Sequence, residues 1–136
     1  MPHPRFSRLP VPTAADPDRF WAELTDAYLR VMAGLGEEPE LAALLRGWLA
    51  AAGTPAGQRM LQELQTAVTP RLEQTVAAGQ RIGAVRTDAP AGLILAVVAG
   101  MGQAMDTWLL QEQPDAAELP RLVGVLIEML RGALAP

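Results

Sequence analysis

The chain has no cysteine and no lysine, and its single histidine is His3. Without cysteine there is no disulfide framework, no thiolate nucleophile and no cysteine-ligated zinc site. Without lysine, all eleven basic residues are arginine, scattered from Arg5 to Arg131 with no cluster. The basic patch that neutralises nucleic-acid phosphates is therefore missing. A net charge of −4 and a pI near 4.9 fit a solvated, soluble surface. Lysine-free and rich in Ala, Leu, Gly and Pro, the composition suggests a GC-rich bacterial genome.

Other absences narrow the class. No segment shows the strict apolar–polar alternation of a half-buried strand. No low-complexity tract appears, so a packed globule is expected, and 136 residues can bury roughly 65–70% of the unfolded surface. The N-terminal MPHPRFSRLPVPT has two arginines but no apolar run behind them, so it does not read as a signal peptide. A cytoplasmic location is expected, with residues 1–15 as a proline-rich lead-in and residues 16–136 as one domain.

What is present is helix punctuation. Asp16 reads as an N-cap with Pro17 at the first helical position, and Thr54-Pro55 repeats that signal. Between them, Pro39 opens a second helix that closes near Gly53. Phe20, Trp21, Leu24, Tyr28, Val31, Met32 and Leu35 form the stripe of the first helix. Leu41, Leu44, Leu45, Trp48 and Leu49 form that of the second. A third stripe runs from Met60 through Leu61, Leu64, Val68 and Leu72 to Val76. It stays in register across Pro70, which favours a kink over a break. The loop GQRIGAVRTDAP leads to a fourth helix from Pro90 to about Gln111. A fifth begins at Asp115 or Pro120 and runs to about Leu134. Five helices with short loops make an all-α bundle.

Catalytic material is scarce. His3 stands in the lead-in, away from any second ligand or base. Glu37, Glu38 and Glu40 surround a helix start, where negative charge is stabilising, and Asp115 with Glu118 has capping-box spacing. Asp106 is the one charge in the most apolar helix, and exposure is the expectation for it. Neither Gly34-Leu35-Gly36 nor Gly100-Met101-Gly102 is a strand-to-helix turn, so no phosphate cradle is read. The reading is no enzyme, no metal and no cofactor.

Three tryptophans, one tyrosine and six methionines stand out in an aliphatic chain. Such sets are most often plain core, but sites for small molecules between helices use the same mixture. An apolar pocket enclosed by the first four helices is expected, lined by some of Trp21, Tyr28, Met32, Trp48, Met60, Leu64, Met101 and Met105.

From Ala89 to Met105 no side chain is charged. Seventeen residues fall short of the roughly 20 needed to span a bilayer, and Gly92, Gly100, Gly102 and Gln103 dilute the run, so insertion is the weaker reading. Burial by a second copy of the chain is the stronger one. Leu93, Val97, Gly100, Ala104 and Trp108 share one face of the fourth helix. Leu122, Leu126 and Leu130 supply a matching face of the fifth, with Val123, Ile127 and Leu134 an equal candidate. The last two helices would then form a four-helix bundle across a homodimer.

The segment RIGAVRTDAPAGLILAVVAGMGQAMDTWLL, with the helices on either side of it, resembles the C-terminal regulatory domain of TetR-type bacterial transcriptional repressors. Gly83, Val85, Arg86, Asp88 and Pro90 match the family's turn between a long helix and an apolar one. The resemblance covers roughly residues 16–134. It implies a domain that binds an effector, here a small hydrophobic molecule, and dimerises through its last two helices. No helix-turn-helix pattern precedes Asp16, so direct nucleic-acid binding by this chain alone is not expected. Two other classes compete. One is a helical structural or adaptor homodimer acting through protein partners without a ligand. The other is a small helical enzyme, for which no constellation can be assembled.

Overall fold

A computed structural model describes residues 11–136 apart from residue 52. His3 and most of the proline-rich lead-in lie outside the described residues. The described chain is all helical: α1 (Pro17–Gly36), α2 (Pro39–Ala50), α3 (Pro55–Arg81), α4 (Ala91–Glu112) and α5 (Leu119–Leu134).

The starts of these helices follow from local chemistry. The Asp16 carboxylate accepts from the Asp18 N–H, and the Thr54 hydroxyl accepts from the Gly57 N–H, each with proline as the next residue. Each side chain satisfies one amide that has no partner within the helix, while the proline has no amide to satisfy. Asp115 accepts from the N–H groups of Ala117 and Glu118 at 3.0 and 2.8 Å, which closes a turn before α5. Glu118 does not complete a capping box; its carboxylate pairs with Arg121. α3 continues through Pro70, and the hydroxyls of Thr66 and Thr69 bond back to the carbonyls of Gln62 and Gln65 in that stretch.

α1 packs along α5, α2 touches α1, α3 and α4, and α4 also lies against α3 and α5. The core between them is aliphatic with two aromatic rings, Phe20 and Trp21, meeting edge to face at 5.3 Å. At this point α3 comes unusually close. A Cβ on Gly79 would stand 2.5 Å from Val85 Cγ2 and 2.8 Å from Phe20 Cζ, so only glycine fits. Two buried stripes are narrower than the apolar spacing predicts. Leu44 is 48% exposed, because α2 presents Ala42 and Leu45 inward instead. In α5 the buried line is Val123, Ile127, Leu130 and Leu134, with Leu119, Leu122 and Leu126 at its margin.

Candidate functional site

The turn between α3 and α4 sets the geometry of everything after it. Gly83 has φ +78°, the left-handed region that favours glycine. The chain then folds back, and the amides of Ala84 and Val85 both donate to the Gly79 carbonyl. Arg86 ties this turn to the end of α5: its amide donates to the Leu134 carbonyl at 2.7 Å, and its guanidinium to the Ala133 carbonyl. The same guanidinium grips Asp88 through two bonds of 2.7 and 2.8 Å. These bonds hold the Asp88 carboxyl below the usual range and push the arginine up. The Trp21 indole N–H donates to the Ala84 carbonyl, closing the turn onto α1. Gly83, Val85, Arg86 and Asp88 thus form a clamp that aims α4 and anchors the last turn of α5.

α4 is aimed so that only part of it is covered. Ile94, Met105, Leu109 and Leu110 are buried. On the opposite side run Leu93, 56% exposed, partly buried Val97, exposed Gly100 and Ala104, and Trp108, 42% exposed. This is the face expected from spacing, and the domain leaves it open. An open depression of about 480 Å³ runs along it, bounded by Gly100, Gln103, Ala104, Thr107, Trp108 and Gln111. By length and composition α4 is also the one helix among the described residues apolar enough to cross a membrane.

The residues expected to form the matching face on α5 are divided between core and margin. Leu130 belongs to the domain's own core, as do Val123, Ile127 and Leu134. The Val123, Ile127 and Leu134 stripe thus points inward together with Leu130, since α1 lies along that side of α5, while Leu122 and Leu126 are half-buried. The open edge of α5 is Val125 and Met129, 43% and 60% exposed, beside partly buried Leu122 and Leu126. Val125 and Met129 are four residues apart, a signal that was legible but competed with two stronger stripes.

The eight residues expected to line a pocket have different fates. Trp21 is 3% exposed and committed to the clamp, two turns along α1 from Tyr28. Met32 and Met105 are buried in the core, with Tyr28, Trp48, Leu64 and Met101 packed around it. Met60 is partly buried and stands apart from that cluster.

Asp106 departs most from expectation. It is partly buried rather than exposed, and Tyr28 donates its hydroxyl to the carboxylate at 2.5 Å. α1 and α4 share no extended packing, so this bond spans the bundle between them. No arginine pairs with Asp106 among the described residues. Burial pushes its carboxyl up to about 6, opposed by the Tyr28 bond, and pushes the Tyr28 phenol well above its ordinary value. A single charge in an apolar helix was the sequence signal. Its partner, 78 residues away, was not legible.

Compared with family models, curated proteins and solved structures, the chain matches none.

Proposed function

We propose that this chain is the effector-binding and dimerisation domain of a TetR-like bacterial transcriptional regulator that senses a small hydrophobic molecule in the cytoplasm. The observation that carries the reading is the uncovered apolar face of α4, Leu93 to Trp108, next to a turn whose Gly83, Arg86 and Asp88 clamp the last two helices together. An exposed face of this length, with small residues at its centre, suits close approach of a second copy. The open α5 edge of Val125 and Met129 offers further apolar contact. A membrane is the less favoured occupant, because α4 contributes Ile94, Met105, Leu109 and Leu110 to the domain core and carries Asp106 inside it.

Light scattering tests the assembly. A mass of twice the 14.5 kDa chain is expected at micromolar concentration. Ala104→Arg, which puts a charge in the centre of the face, should give monomers or aggregates. A monodisperse monomer for the unmodified chain would sink the dimer. Flotation with lipid vesicles would show a membrane occupant instead. Effector binding is tested by a thermal-shift screen of apolar compounds, since a ligand of the native state raises its stability by mass action. The commitment of Trp21 to the clamp favours the adaptor dimer as the second reading. A dimer whose melting and tryptophan fluorescence ignore every compound would select it.

A further inference from the structure

The Tyr28–Asp106 pair is the one place where the described chain holds a charge inside its bundle without an opposite charge beside it. Such a carboxylate is costly, because the surrounding apolar side chains cannot replace its lost hydration. Leu109 and Leu110 follow it along α4, and Met105 precedes it, all buried. Tyr28 compensates one oxygen, Oδ1, while no bond forms to Oδ2. No side-chain nitrogen or oxygen is both fully enclosed and unbonded among the described residues, so Oδ2 keeps some access from outside. Next to it, one helical turn earlier, is Gly102, where nothing lies within 4 Å of the position a Cβ would take. Residues four apart on a helix are neighbours, so this open space adjoins the carboxylate. Open space, the half-buried Leu95 and Val98 on the preceding turns, and an uncommitted anionic oxygen therefore meet on one side of α4.

We propose that Asp106, held by Tyr28, anchors a lipophilic cation: a protonated amine on an apolar body, entering beside Gly102. The ammonium donates to Oδ2 and supplies the missing positive charge. The hydroxyl of Tyr28 fixes Oδ1 and so the plane of the carboxylate. The apolar body lies along the half-buried Leu95 and Val98, on the preceding turns of the same side of α4. The ring of Tyr28, whose hydroxyl bonds the same carboxylate, offers an aromatic face of the kind that attracts organic cations. A neutral ligand of the same shape gains the apolar contact alone and leaves the carboxylate desolvated and unpaired. An anionic one is repelled. Selectivity for cations is thus a consequence of one residue.

This proposal rests on the reading that the domain binds a small apolar effector, and the test separates the two. The probes are 1-aminoadamantane, 1-adamantanol and 1-adamantanecarboxylate, which share one apolar cage and differ in charge. Binding to the full chain is followed by tryptophan fluorescence and thermal shift at neutral pH. The amine should bind at least about tenfold more tightly than the alcohol, the ratio a charge-assisted hydrogen bond supplies, and the carboxylate should bind weakest. Asp106→Asn should remove the preference, so that the amine binds no more tightly than the alcohol. Gly102→Leu, which fills the adjoining space and keeps the carboxylate, should block the amine. Circular dichroism verifies that each variant folds. Equal affinity for amine and alcohol in the unmodified chain would overturn the cation site and leave effector binding standing. Retention of the preference in Asp106→Asn would place the selectivity elsewhere and overturn it too. Binding of none of the three probes would remove both.

Discussion

Replacing Asp106 by asparagine should stabilise this protein, and by an amount that grows with pH. The ordinary value for an aspartate is 3.8, and enclosure in the bundle raises this one to about 6. A carboxyl whose folded value exceeds its unfolded value binds its proton more tightly when folded. Its penalty is therefore absent below pH 4, develops as pH rises between the two values, and is complete above about 6. Converted at 1.36 kcal/mol for each factor of ten, the rise amounts to at most about 3 kcal/mol at neutral pH. Roughly half of that is already present at pH 5, so the other half, about 1.5 kcal/mol, should develop between pH 5 and 8. Asparagine keeps an oxygen to accept from Tyr28 and carries no charge. Urea unfolding of both proteins at several pH values measures the effect, since the titration of all other groups cancels in the difference. A difference that stays flat from pH 5 to 8, or that shrinks as pH rises, would refute the claim that enclosure controls this carboxylate.

Gly79→Ala should destabilise by about 1–2 kcal/mol in the same assay: overpacking against Val85 and Phe20 outweighs the gain in helix propensity. Gly47→Ala, where nothing stands within 4 Å, should instead stabilise α2 by about 0.5–1 kcal/mol. Arg86→Ala should loosen the clamp, read as faster amide exchange in the last turn of α5, because its guanidinium bonds both Asp88 and the Ala133 carbonyl. An unchanged exchange rate there would mean that the Arg86 backbone bond to Leu134 holds the turn alone. With its net charge of −4 and scattered arginines, the isolated chain should not shift duplex DNA specifically at physiological salt. A sequence-specific shift would contradict the reading.

Helix existence and most helix starts were legible because they depend on neighbours in sequence. Asp16-Pro17 and Thr54-Pro55 each combine a cap with a residue lacking an amide, and both helices begin there. Pro39 likewise opens α2. α4 shows the same legibility in another form. The stripe from Leu93 to Trp108 lies on one face because 3.6 residues make a turn, and that face is the open one.

The candidate site was legible only by halves. Asp106 was conspicuous as a charge among apolar residues, yet whether it meets water or Tyr28 depends on where α1 crosses the bundle. The same holds for α5, where Val123–Ile127 and Leu122–Leu126 are equivalent by periodicity. Placement of α1 along α5 makes the first of them core and leaves Val125 and Met129 outside. Periodicity puts Trp21 on one stripe with Tyr28 and Met32, and it is the fold of the Gly79–Val85 turn that draws its indole to the Ala84 carbonyl. Five helices, the caps at Asp16 and Thr54 and the periodicity of each face follow from residues close together in the chain, because caps and periodicity act over a few residues. Which faces are covered, and which charge loses its water, depends on contacts between residues far apart in the chain and so emerges only when the helices pack.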